Sequence, residues 1–335
     1  MGLNLICQPV RQHLTRWIRP RLAFNWQCYD EKREGNIMTR PRIPNYHRQR
    51  FLLVLLAQAG GYLSKIDFQK LLFLSQEETE KPHYDFVPYH YGCYSFQAQS
   101  DIDLLESRGW LRTDNRDIRL LEESNTCMPS VDRAKVADFA KRFHAYRGKK
   151  LIRYVYEKYP YYAINSRIAE EILDGKAFDR VGEAKRGLEF ESSELFTIGY
   201  EGITFEKYVN RLISNDVRLL CDVRINPLSR KFGFSKGTLS AVLPKLGIEY
   251  VHIPELGISS QRRNGLETKA DYARLFRGYK RSLPLKRDSL KGLNELFDRS
   301  GRLALTCFEK EHEDCHRHCI SEYLEDTRGI EAHHL

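Results

Sequence analysis

Between Leu303 and Ile320 the chain reads L-A-L-T-C-F-E-K-E-H-E-D-C-H-R-H-C-I, a short apolar stretch that turns abruptly polar. It sets Cys307, Glu309, His312, Cys315, His316, Arg317 and Cys319 close together. A solvated loop has no need of that set, whereas nucleophilic, acid–base and metal chemistry all do. Asp314 is placed to cap a helix opening near Cys315, because a carboxylate there accepts from the free N–H groups of the first turn. Cys315 would then sit at the positive end of a helix dipole and beside Arg317, both of which favour a thiolate. Cys315, or Cys307, is thus a candidate nucleophile with His316 as base. Adjacent residues on a helix diverge by about 100°, however, which makes His312 or His252 the better-placed imidazole.

Zinc is the competing use of these residues. Cys315 and Cys319 are four apart on one helix face, and Cys307 and His312 can complete a tetrahedron. The spacing matches no standard ribbon or finger, so the expectation is no metal and no other cofactor, with zinc the alternative. In a purely structural account Cys307 ends a buried strand and Cys319 packs inward from the last helix. That account leaves Cys315, His316 and Arg317 unexplained.

The elements that must hold these residues alternate strand and helix. Strands are predicted over 195–198, 218–223, 249–253 and 302–307. A helix capped by Thr204 runs to about Ser214, and others follow over 236–246, 271–281 and 290–298. Such alternation predicts an α/β fold with a mostly parallel sheet and helices on both faces. Tyr200 and Glu201, Asp222 and Arg224, His252 and Glu255, and Cys307 and Glu309 each fall at or just past the carboxyl end of a strand. Ligands bind at that edge of open α/β sheets. If all four strands run the same way, the ionisable side chains converge there.

Arg224, Arg230, Lys231, Lys236 and Arg317 suit a phosphate, with Tyr200, Glu201, Ser229 and His252 beside them. The turns 199–202 and 232–234 can add backbone N–H groups. There is no P-loop and no dinucleotide fingerprint, which leaves nicotinamide and ATP chemistry unsupported. Asp222 and Glu309 can act as a carboxylate pair, one activating water or stabilising a cationic sugar as in glycosidic cleavage. A salt bridge from Asp222 to Arg224 or Arg317 is the structural alternative.

The blocks T-I-G-Y-E-G, C-D-V-R-I-N-P-L-S-R-K-F-G-F-S-K, L-G-I-E-Y-V-H-I-P-E-L-G and C-F-E-K-E-H-E-D-C-H-R resemble the family registered as domain of unknown function number 488. The resemblance spans nearly all of residues 194–330. Its pattern falls on Asp222, Arg224, Pro227, Ser229, Cys307, Glu309, Cys315, His316 and Arg317. It implies a fold, a site and a bacterial or phage-related setting, but no reaction.

Residues 46–190 read as a mainly helical, winged-helix-like domain. Apolar helices over 50–58 and 64–75, a third over 101–108 and a hairpin opening at Gly109-Trp110-Leu111-Arg112 give that outline. The run K-L-L-F-L, then Y-D-F-V-P-Y-H-Y-G-C-Y-S-F and D-L-L-E-S-R-G-W-L, resembles the Panacea, or SocA-like antitoxin, domain. That resemblance implies binding, with a protein partner, rather than catalysis. Tyr89, His90, Tyr91 and Tyr94 are either a stacking surface for bases or core aromatics. Residues 131–172 interleave Lys, Arg and Tyr as single-strand channels do, or form a helix pair with one solvated face. The charged stretch 174–193 is the expected linker. Residues 1–45 show no sustained period and no signal-peptide pattern. They are expected to be a disordered or mis-started arm, with Met38 an alternative beginning.

The chain of 335 residues carries a formal charge of +9, a pI near 9.0 and a mean hydropathy of -0.55. The charge points to a polyanion, nucleic acid first. No apolar run approaches the roughly 20 residues of a membrane helix, and eight cysteines do not make a disulfide scaffold in so long a chain. A cytoplasmic protein is therefore expected. The sequence points to a nucleic-acid- or nucleotide-directed enzyme, with hydrolytic or glycosidic-bond chemistry, of DNA processing or phage defence. Its rival is a non-catalytic nucleic-acid- or toxin-binding regulator with a structural or redox-sensing cysteine cluster.

Overall fold

A computed structural model describes residues 43–79, 82–121 and 129–335; the expected N-terminal arm lies almost wholly outside them. The helical part begins with α1 (His47–Gln58), whose buried face runs from Phe51 to Leu56. Two glycines in the left-handed region, Gly60 and Gly61, turn the chain into β1 (Tyr62–Ser64). Ser64 then caps α2 (Lys65–Glu77) by accepting from the Asp67 N–H. The aromatic segment folds as a hairpin of β2 (Val87–Tyr89) and β3 (Gly92–Tyr94). Helix α3 (Phe96–Ser107), capped by Ser95, leads into β4 (Leu111–Thr113) and β5 (Asp117–Leu120), the hairpin expected at Gly109. Strands β1, β5 and β4 form a three-stranded antiparallel sheet in that order. Next come α4 (Ser130–Arg142), α5 (Gly148–Lys158), α6 (Ala169–Ile172) and α7 (Gly175–Arg186).

Helix α7 occupies the stretch expected to be a linker. Its Val181 is buried in the core of the helical part and Ala177 packs against that core. The charge that reads as linker composition is the solvated face of an amphipathic helix.

The second part is a five-stranded sheet whose strands all run parallel. It contains β6 (Glu194–Gly199), α8 (Phe205–Ser214), β7 (Leu219–Asp222), α9 (Lys236–Val242) and β8 (Glu249–His252). There follow α10 (Ser260–Arg263), α11 (Lys269–Ser282), α12 (Arg287–Ser300), β9 (Arg302–Cys307), α13 (Arg317–Arg328) and β10 (Ala332–His334). The strand order is β10-β6-β9-β7-β8. Period-two alternation splits the strands between two cores. Phe196, Ile198, Leu220 and Ala304 pack on α8 and α9, and Leu195, Leu219, Cys221, Leu303 and Leu305 pack on α11, α12 and α13. Helices thus cover both faces, as the continuous apolar strands require. Helix α9 stops earlier than expected because Pro244 has no N–H to donate, and the chain finishes in a 3-10 turn. Edge strand β10 is too short and too rich in histidine to announce itself in the sequence.

The hairpin and α8 join the two parts. Val87 belongs to the sheet-domain core, and Tyr89 and Phe96 pack against it. Asn210 donates to the Phe86 carbonyl at 2.7 Å. Glu206, 1% exposed, accepts from the Gln97 N–H at 2.8 Å and the Ser95 hydroxyl at 3.3 Å, at the start of α3. Tyr89, Tyr94 and Phe96 pack as a cluster of rings, and only Tyr91 of the expected stacking surface is exposed. Among the described residues no helix is long and apolar enough to cross a membrane.

Candidate functional site at the carboxyl edge of the sheet

The register brings the strand ends level. Gly199 pairs with Cys307, and Asp222 with both Thr306 and His252. Since β6, β7, β8 and β9 are parallel, the four pairs of ionisable residues do converge on one edge. Strand β9 is central, and its last residue, Cys307, is 2% exposed.

After Cys307 the chain turns back across the end of β6. Tyr200 and Glu201 donate their N–H groups to the Phe308 carbonyl at 3.1 and 2.9 Å. The crossing is so close that a Cβ on Gly199 would lie 1.8 Å from the Glu309 carbonyl oxygen. Arg317, 1% exposed, clamps the same turn by donating to the carbonyls of Glu309 at 2.5 Å and Lys310 at 2.8 Å. Its guanidinium is spent on these carbonyls and, through Nε, on the Thr197 hydroxyl at 3.4 Å, so it positions Glu309 and does not face a phosphate.

Helix α13 begins at Arg317, with His316 at the cap position and no side-chain cap, so Asp314 does not play the expected part. Because Cys315 and His316 precede the helix, the 100° divergence that set them apart does not apply. His316 Nε2 lies 3.1 Å from the Val223 carbonyl. A carbonyl only accepts, so Nε2 carries the hydrogen and Nδ1 presents its lone pair. That lone pair faces the sulfurs of Cys307 and Cys315, each at 3.7 Å. Arg263, from α10, reaches Nδ1 at 3.4 Å and Glu309 Oε1 at 3.2 Å. The other oxygen, Glu309 Oε2, is buried and has no partner among the described residues.

The electrostatics of the thiols reverse the expectation. The hydrogen bond from Cys315, helped by His316 and Arg263, holds Cys307 well below the ordinary thiol range. Burial, then the neighbouring Cys307, pushes Cys315 well above it. Burial and the charge of Cys307 also raise the Glu309 carboxyl. Cys307 is therefore the thiolate-like partner. With Cys315 at 1% exposure and Cys307 at 2%, neither sulfur faces solvent as a nucleophile would.

Asp222 is 0% exposed and Arg224 7%. The Asp222 carboxylate accepts from Arg224 N–H, Nε and Nη2 and from the Tyr250 hydroxyl. Arg224 further donates to the Tyr200 hydroxyl and the Phe234 carbonyl. The salt bridge is the arrangement found. Among the described residues Asp222 and Glu309 have no hydrogen-bond partner in common: Asp222 is held by Arg224 and Tyr250, Glu309 by Arg263. Arg224 ties the loop after β7 to the sheet.

That loop supplies the rim. Among the described residues Lys231 donates to the Tyr200 carbonyl at 2.5 Å and to no carboxylate, and the Lys231 N–H is received by the Ser229 hydroxyl. Lys236 reaches His252 Nδ1 at 3.1 Å, while His252 Nε2 bonds the Arg224 carbonyl at 2.7 Å. Arg230 and Glu201 are exposed, the latter accepting from the Lys310 N–H. Ile225, Leu228, Phe232 and Phe308 are exposed among them, so the mouth mixes cations with apolar and aromatic surface.

Two members of the expected zinc set lie elsewhere. His312 stacks on His334 at 3.5 Å, and the Cys319 sulfur lies 3.3 Å from His318 Nε2 and packs with α11. Among the described residues the ligand-type group is instead Cys307, Cys315 and His316, whose ligand atoms lie within 4.8 Å of one another. Sequence reasoning missed Arg263 altogether. Its only signal was the Arg262-Arg263 pair in the glycine-containing stretch between β8 and α11.

These observations define a parallel α/β domain that carries a buried thiol–imidazole cluster and a half-open carboxylate at its carboxyl edge. Residues 204–324, from α8 through α13, match the family model described as "Domain of unknown function DUF488". The match takes in the whole cluster and the basic loop. A search of curated proteins finds no match to the chain.

Proposed function

We propose that the sheet domain is an enzyme acting on nucleic acid or a nucleotide by hydrolytic chemistry, cleavage of a glycosidic bond included, with Glu309 as its acid–base group. The observation that carries the reading is the Glu309 carboxylate. One oxygen is held by Arg263, and among the described residues the other is buried with no hydrogen-bond partner, at the sheet edge where ligands bind. A buried acceptor left unsatisfied costs stability, and such groups are retained where a substrate or water satisfies them. The rim supports a polyanionic, base-bearing substrate: Arg230, Lys231 and Lys236 can meet phosphate, and Phe232 and Phe308 offer faces for stacking. Asp222, Arg224 and Arg317 hold the loops in place. The test is to incubate the full chain with single- and double-stranded oligonucleotides, RNA and free nucleotides and to follow products by mass. Glu309→Gln should lose turnover and keep binding; wild-type turnover in that variant would sink the assignment.

One observation favours a second role for the helical part. The element order α1-β1-α2-α3-β4-β5, with the β2–β3 hairpin inserted between α2 and α3, and the sheet order β1-β5-β4 resemble the arrangement winged-helix modules use, which supports a nucleic-acid- or protein-binding part beside the site. Charge reversal at Arg116 and Arg119, exposed on the β4–β5 hairpin, would then weaken binding and leave turnover on short substrates unchanged.

A further inference from the structure

We propose that Cys307 Sγ, Cys315 Sγ and His316 Nδ1 form a binding site for a zinc-like divalent ion. The three come from the end of β9 and the turn before α13, and all are at most 2% exposed. With Zn–S near 2.3 Å and Zn–N near 2.1 Å, a tetrahedral ion separates each sulfur from the nitrogen by about 3.6 Å. Both Nδ1–sulfur distances are 3.7 Å, so the donors already stand at ligand spacing. The imidazole is also oriented as a ligand requires. Nε2 donates to the Val223 carbonyl, which fixes the tautomer and turns the Nδ1 lone pair inward, the outer hydrogen bond that ligating histidines make.

Burial argues the same way. Both thiols and the imidazole are closed off from the surface, and a soft divalent ion is the partner that thiolate and imidazole donors select. Binding sends the thiol protons to solvent and leaves two thiolates. With the Glu309 carboxylate these balance a divalent ion plus the Arg263 guanidinium. Arg263 now contacts Nδ1 weakly and would keep only its bond to Glu309. The fourth position is left to a water or a substrate atom, since the described ligand-type residues grouped there are these three. Two thiolates and one imidazole with an open fourth position make the donor set of a hydrolytic or otherwise catalytic zinc. The metal reading stands independently of the enzymatic one, because its test reads metal and not turnover.

The experiment is elemental analysis of the full chain purified without an affinity tag, followed by cobalt(II) reconstitution. One zinc per chain is expected, and the cobalt form should show thiolate-to-cobalt charge-transfer bands. Cys307→Ser, Cys315→Ser and His316→Ala should lose the metal, while Cys319→Ser and His312→Ala should keep it. Wild-type protein that takes up neither ion, or that contains a Cys307–Cys315 disulfide as isolated, would overturn the site. Equal loss of metal in Cys319→Ser or His312→Ala would overturn the ligand assignment. The wild-type measurements keep the proposal open to refutation even if a ligand variant fails to fold.

Discussion

Replacing Asp222 by asparagine separates a scaffolding carboxylate from a catalytic one. Four donors converge on Asp222: Arg224 N–H at 3.1 Å, Nε at 2.8 Å and Nη2 at 2.6 Å, and the Tyr250 hydroxyl at 2.7 Å. Asparagine keeps the shape but offers one acceptor oxygen, and its amide would face a donor. The larger loss is charge, because Arg224 is 7% exposed and would have no anion beside it. Removing one partner of a buried pair costs about 3–5 kcal/mol. Asp222→Asn is therefore expected to lower unfolding stability by that amount, read as a fall in the denaturation midpoint at unchanged slope. Adding Arg224→Met should cost less than the two single changes together, with a coupling of about 0.5–3 kcal/mol. If Asp222→Asn changes stability by less than about 1 kcal/mol while abolishing turnover, the scaffolding account is wrong and Asp222 is catalytic.

Glu206 lies at the junction of the two parts, and burial raises its carboxyl from 4.5 to about 7. A raised carboxyl stabilises the fold fully below the unfolded value and loses that contribution as pH climbs through the folded one. Stability should thus fall between about pH 4.5 and 7, by up to about 3 kcal/mol. Glu206→Gln should flatten that slope in pH-dependent denaturation; an unchanged slope would show that Glu206 is not its source. Gly199→Ala should cost at least about 1–3 kcal/mol, the usual range for overpacking, and should impair turnover by displacing Glu309; a wild-type melting curve and rate would contradict the close crossing. Replacing Arg230 and Lys231 by alanine should weaken oligonucleotide binding. Each lost phosphate contact should flatten the salt dependence by about 0.7–0.9 in log–log slope, and an unchanged slope would remove the rim from the binding surface.

The fold of the sheet domain was legible because each strand is a short apolar run followed by a polar turn, and because Thr204 announces α8. The edge was legible for the same reason: Asp222, His252 and Cys307 stand at strand ends, and parallel strands bring ends together. Which side chains face a ligand was not legible. Arg224 and Arg317 look like phosphate ligands by type, yet each is consumed by the loop it pins, and that depends on where loops cross. Cys315 looked like the activated thiol because a helix was expected to start beside it. The helix starts two residues later, which frees His316 to point at both sulfurs. Arg263 lies 46 positions from Glu309, a separation that no local pattern encodes. Helix α7 was hidden by composition, since a solvated helix face and a linker share the same residues.

The most direct test of the account is product formation by Glu309→Gln set beside wild type on the same nucleic-acid substrates, with binding measured in parallel. Retained binding with turnover lost is the predicted result, since the amide preserves the packing against Arg263 but cannot move a proton. Turnover equal to wild type would contradict the central claim that the chemistry of this chain is done at Glu309.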